Sequence, residues 1–153
     1  MPITFHNADI KLLLRHKKDL KSFIIKQVNA EVNKTIILSY IFCSDEYLLR
    51  INKQFLNHDY YTDIITFPLS EDEKSVEAEI YVSIDRVREN CLSFGKAGNV
   101  GFNTDQVFEK ELLRVLFHGV LHLVGYKDKT LKQKAKMRQA EEDWMDKFNL
   151  QQK

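Results

Sequence analysis

Hydrophobic positions along the chain fall into short runs whose spacing changes several times. Near the start, Ile3, Thr4 and Phe5 read as a short strand. From about Ala8 to Val32, residues such as Ile10, Leu13, Leu14, Leu20, Phe23, Ile24 and Val28 recur with a helical period and predict one long helix. Thr35 to Cys43 (TIILSYIFC) is rich in β-branched and aromatic residues and predicts a buried strand. Ser44 supplies an N-cap, with Asp45 and Glu46 in the first turn, for a helix over SDEYLLRINKQFL. Asp63 to Pro68 (DIITFP) is strand-like, with Pro68 ending it or lying at an edge. The acidic stretch SEDEKSVEAE reads as a solvated hairpin loop before a strand at EIYVSI.

DRVRENCLSF then predicts a short helix stopped by Gly95, and a loop runs to Asn103. Asn103, Thr104 or Asp105 caps a long apolar helix reaching Val124. Thr130 opens a last helix, with Gln133 completing a capping box. The order β-α-β-α-β-β-α-α-α, with two strands in succession, predicts an α+β fold: a small mixed sheet packed with helices. At 153 residues a single domain spanning 1–153 is expected.

Composition narrows the classes further. A hydrophobic fraction of 44% beside 29% charged residues is ordinary for a globular protein. No apolar run approaches the ~20 residues of a membrane span. The first residues lack the order of a signal peptide, so a cytoplasmic location is expected and no membrane partner. A net charge of +1 argues against tight non-specific nucleic-acid binding, and no DNA partner is expected. Cys43 and Cys91, with no CxxC spacing, read as two reduced core thiols.

The chemistry concentrates in ELLRVLFHGVLHLV and the short segment after it. His118 and His122 stand at i and i+4, which puts both imidazoles on one face of a helix that is apolar nearly all round. Imidazoles there need polar partners or a cation. Gly125 suits a left-handed position that ends the helix and turns the chain back. Asp128 then closes an H-x3-H-x5-D set of three ligands and one open position, the pattern of a catalytic zinc site. A zinc peptidase of the HExxH type carries a glutamate directly after the first histidine; here that position is Gly119.

The string HGVLHLVGYKD resembles the HGxLHLxGYDH signature of the YbeY family, bacterial metal-dependent endoribonucleases of ribosomal RNA maturation. NKQFLNHDYYTDIITFP is similar to the family's second block, N-x-x-[YF]-R-x-x-D-x-P-T-D-V-L-S-F-P. The resemblance implies an α+β fold with the metal on the central helix, one bound zinc ion, and cleavage of single-stranded RNA. It further implies a part in 16S rRNA 3′-end maturation and ribosome quality control, with ribosomal particles as partners. His118 is the expected catalytic residue as well as a ligand. Two positions depart from the family pattern: Asp128 stands where relatives have the third metal histidine, and Leu56 where they have an arginine implied to engage phosphate.

Three classes of function compete: an RNA hydrolase, a metal-dependent hydrolase of peptide or amide bonds, and a non-catalytic ribosome-assembly factor. For holding RNA, the sequence offers several groups. Lys127, Lys129, Lys132, Lys134, Lys136 and Arg138 crowd together directly after the histidine pair. A second cluster, Arg15, Lys17, Lys18 and Lys21, reads as the exposed face of the first helix. His58 or Lys53 is available to replace the missing arginine, and Tyr60 and Tyr61 suit stacking on unpaired bases or packing at a strand entrance.

Overall fold

The structure is a computed structural model and describes residues 2–95 and 104–151. Its elements run β1 (Ile3–Asn7), α1 (Lys17–Val32), β2 (Thr35–Cys43), α2 (Asp45–Leu56), β3 (Ile64–Glu71), β4 (Ser75–Ser83), α3 (Ile84–Gly95), α4 (Thr104–Leu123) and α5 (Leu131–Gln151). The four strands form one mixed sheet in the order β1-β2-β4-β3. β1, β2 and β4 are parallel, and β3 returns antiparallel at the edge. This is the α+β architecture that the element order predicts.

Alternation along the two central strands decides which face carries the main core. Ile36, Leu38, Tyr40 and Phe42 of β2, with Val76, Ala78, Ile80 and Val82 of β4, are buried and pack with α1, α4 and α5. Across that layer Phe23, Phe117, Trp144 and Phe148 join one residue of α1, one of α4 and two of α5 in a set of tilted and edge-on rings. The opposite face is covered locally by α2, whose Leu48 packs with Cys43 and Ile65.

Three features seat α4 on the sheet. Tyr40 Oη donates to the Leu116 carbonyl at 2.9 Å in the buried interior. Leu112, Leu116, Val120 and Leu121 are all buried. At Gly119 an added Cβ would meet Ile64 Cδ1 and Ile80 Cδ1 at 2.9 Å each. The helix therefore lies close against the sheet at the position after His118, and a side chain there would have to displace the tips of Ile64 and Ile80.

Two expectations need correction. The helix expected over Ala8–Val32 begins only at Lys17, after His16 in the left-handed region. Ile10, Leu12 and Leu14 instead pack on the core from a non-helical segment, while Leu13 is 87% exposed. Alternating burial there imitates a helical period. Hydrogen bonds from Asn7 Nδ2 to the Leu12 carbonyl, and to Asp9 from the Ser44 backbone N–H and hydroxyl, hold that segment. Nor is SEDEKSVEAE mostly loop. Asp72 Oδ1 accepts from the Lys74 and Ser75 N–H groups and makes a tight turn, so β4 starts at Ser75. Its acidic residues, Glu77 and Glu79, alternate with the buried Val76 and Ala78. Of the two readings of Pro68, the edge holds: β3 is an edge strand that runs through it to Glu71, with a register shift between Pro68 and Ser70. Ser44 caps α2 as expected, accepting from Tyr47 N–H. Residues 96–103, including the expected loop and Asn103 as a cap, lie outside the described residues.

Candidate metal centre

The last turn of α4 and the link to α5 bring the three expected ligands together. Gly125, at φ +110°, takes the conformation that ends α4. Its N–H donates to the His122 carbonyl, and Tyr126 N–H donates to that of Leu121. Beyond it, Thr130 and Gln133 form the reciprocal capping box: Thr130 Oγ1 accepts from Gln133 N–H, and Gln133 Oε1 accepts from the Thr130 and Lys129 N–H groups. Asp128 is pinned between the glycine turn and this cap.

Its carboxylate Oδ2 lies 3.4 Å from His118 Nε2 and 3.3 Å from His122 Nε2. The two Nε2 atoms are 3.0 Å apart. A tetrahedral ion with ligands about 2.0–2.1 Å away has donor–donor edges of about 3.3–3.4 Å. The three edges observed are therefore close to one face of such a tetrahedron. His118, His122 and Asp128 also form a group of metal-capable side chains by mutual proximity of their ligand atoms. Their side chains are 21%, 33% and 39% exposed, which leaves the fourth direction open to a substrate.

Behind the triad stands a buried charge network that sequence reasoning missed. Glu141 Oε2 lies 2.6 Å from His118 Nδ1. A carboxylate accepts, so Nδ1 carries the ring proton and the Nε2 lone pair faces His122 and Asp128. With a cation bound, that lone pair and an Asp128 oxygen would both be presented to it. Glu141 is only 2% exposed. Its other oxygen accepts from Arg114 Nη1 at 3.1 Å, and Arg114 also pairs with the buried Glu111. Burial alone would push Glu141 up, but His118 and Arg114 outweigh it and hold the carboxyl below its ordinary value. Burial would likewise lower Arg114, and Glu111 and Glu141 instead raise it. The signal for Glu141 was present in the chain: it shares the face of α5 that buries Met137, Ala140, Trp144, Met145 and Phe148.

The triad opens into a cleft of about 600 Å³ whose opposite wall is the end of α2, the following loop and β3. Leu56, His58 and Tyr60 line it. Lys53 does not; it pairs with Asp59 at 3.2 Å. Of the two groups available to replace the arginine, only His58 reaches the cleft. Tyr61 is committed elsewhere, its hydroxyl donating to Glu46 and its ring beneath the Arg86 guanidinium. The six basic residues from Lys127 to Arg138 are exposed and make no ion pair among the described residues, but none lines the cleft. In the first cluster, Arg15 pairs with Glu109 and Lys21 lies over the Phe5 ring. Cys43 and Cys91 are free and buried, and burial pushes the Cys43 thiol up to about 12.

Comparison with known proteins gives this geometry a family. The model described as Endoribonuclease YbeY matches residues 3–149. A curated Endoribonuclease YbeY from Cytophaga hutchinsonii is 45% identical over 141 residues, covering 92% of this chain and 91% of the relative. One from Amoebophilus asiaticus is 39% identical, covering 94% and 90%. The solution structure of TM1509 from Thermotoga maritima superposes with a TM-score of 0.58 at 26% identity, covering 97% of this chain and 93% of that one. The chain belongs to the YbeY endoribonuclease family.

Proposed function

We propose that this protein is an endoribonuclease that cleaves single-stranded RNA in the cleft beside His118, His122 and Asp128, which hold one zinc ion. The observation that carries the metal is the near-tetrahedral spacing of those three donors. Family membership carries the substrate class. When bound, a divalent ion supplies Lewis acidity toward a phosphoryl oxygen or a water molecule. His118 and His122 contribute neutral nitrogens, and Asp128 contributes a negative oxygen that lowers the net charge of the centre. Glu141 fixes the tautomer of His118 and keeps its ring from turning.

In the cell, the reading extends to 16S rRNA 3′-end maturation and ribosome quality control in the cytoplasm, with ribosomal particles as partners. Leu56 favours a second reading, a non-catalytic ribosome-assembly factor, because leucine cannot make the bidentate phosphate contact of a guanidinium. A peptidase reading loses its base, since Gly119 packs against Ile64 and Ile80.

The test is incubation of the purified protein with single-stranded RNA and with a peptide pool, beside His118→Ala. Zinc-dependent cleavage of RNA alone, lost in the variant, is the expected result. Cleavage unchanged in the variant contradicts the assignment. Binding to ribosomal particles without cleavage of either substrate moves the conclusion to the assembly factor.

A further inference from the structure

With Leu56 at the end of α2, the wall facing the triad has no lysine or arginine among its described lining residues. It presents a pair of rings instead. His58 and Tyr60 stack with centroids 5.1 Å apart and planes 21° from parallel. Tyr60 Oη and His58 Nδ1 lie 2.9 Å apart, so the two rings are also hydrogen-bonded. Both residues are exposed, Tyr60 by 56%, and both line the cleft that contains His118, His122 and Asp128.

The loop that carries them is built rather than loose. Asn57 takes the left-handed region at φ 56°, and its N–H donates to the Asn52 carbonyl. His58 N–H donates to the same carbonyl at 3.2 Å. The Asn52 side chain, 1% exposed, donates from Nδ2 to the Tyr60 carbonyl at 2.8 Å. Asn52 thus holds the backbone at both ring-bearing positions, through its main-chain carbonyl at His58 and its buried side-chain amide at Tyr60. Packing does not explain the outcome, because the rings so held face solvent.

We propose that His58 and Tyr60 form a nucleobase-stacking subsite. An unpaired base of the RNA strand extends this two-ring stack while a neighbouring phosphate lies toward the triad. The inference rests on the endoribonuclease reading and deepens it. It assigns part of the substrate grip on this wall to base faces rather than phosphate charge, which selects for single strands because paired bases do not offer a free face. Of the adjacent tyrosines, only Tyr60 serves, since the Tyr61 ring already faces Arg86.

The test measures binding of a fluorescent 2′-O-methyl single strand, checked by gel to stay intact, and of the same backbone with abasic positions, by anisotropy across a salt series. Wild type should prefer the strand that carries bases. Tyr60→Ala should weaken that strand by about 5- to 100-fold, whereas Tyr60→Phe should stay within about twofold of wild type. Affinity for the abasic strand, and the salt slope, should not move. Equal binding of the base-bearing strand by wild type and Tyr60→Ala overturns the subsite. So does a His58→Ala variant that loses both strands equally with a shallower salt slope, which would mark a phosphate contact. If wild type cleaves RNA yet shows no preference for bases, the subsite fails and the nuclease stands. If it neither binds nor cleaves RNA, both fail together.

Discussion

On the α4–α5 side of the cleft, function rests on charge taken out of water: His118 leans on Glu141, Glu141 on Arg114, and Arg114 on Glu111. On the α2–β3 side a single buried asparagine shapes a loop whose working groups are exposed rings. The first wall has little freedom, because each buried charge needs its partner. The second carries its rings at the surface, on a loop held by Asn52. The contrast teaches where the two halves of the chemistry reside. In the proposed scheme the buried network orients His118 toward the metal, and the exposed loop supplies part of the grip on substrate.

Breaking the first wall should have the largest effect. Arg114→Leu leaves Glu111 and Glu141 as buried carboxylates without their cation, and removing one partner of a buried pair typically costs about 3–5 kcal/mol. Calorimetric or denaturant unfolding should show a loss of that order; a change within the ordinary surface range would mean that water already reaches the network. Next comes Glu141→Gln, which keeps an acceptor for His118 Nδ1 but removes the charge. Zinc affinity in a chelator-competition assay should fall about 10- to 100-fold, as for other partners behind a metal ligand. An unchanged affinity would reduce Glu141 to a purely structural role. The smallest effect belongs to the second wall. Leu56→Arg should steepen the salt dependence of single-stranded RNA binding by about 0.7 in log–log slope, one added phosphate contact, and leave zinc affinity alone. A slope that stays put would show that position 56 does not reach the strand.

Much of this contrast was legible in the chain, and unevenly so. The α4–α5 wall announced its ligands because helical spacing, a glycine turn and a capping box all act locally: His118, His122, Gly125 and Thr130 sit in consecutive turns. Glu141 belongs to the same site but lies 23 residues from His118, and only the packing of α5 on α4 brings them together. The second wall was legible as a set of candidates. Lys53, His58, Tyr60 and Tyr61 stood equal in sequence until the Asp59 and Arg86 contacts removed Lys53 and Tyr61. Gly119 was read from the missing glutamate alone, and the structure adds its close approach to Ile64 and Ile80. The false helix over residues 8–16 has the same root, since alternating burial and a helical period coincide over a few residues and only tertiary contacts separate them.

The central claim of the proposed site is that a carboxylate, Asp128, completes the metal centre beside His118 and His122. Titration of zinc into chelator-stripped protein by calorimetry tests it directly. Wild type should bind one ion per chain, Asp128→His should retain that ion, and Asp128→Ala should lose most of its affinity while keeping its fold. Binding by Asp128→Ala with the stoichiometry and affinity of wild type would contradict the account.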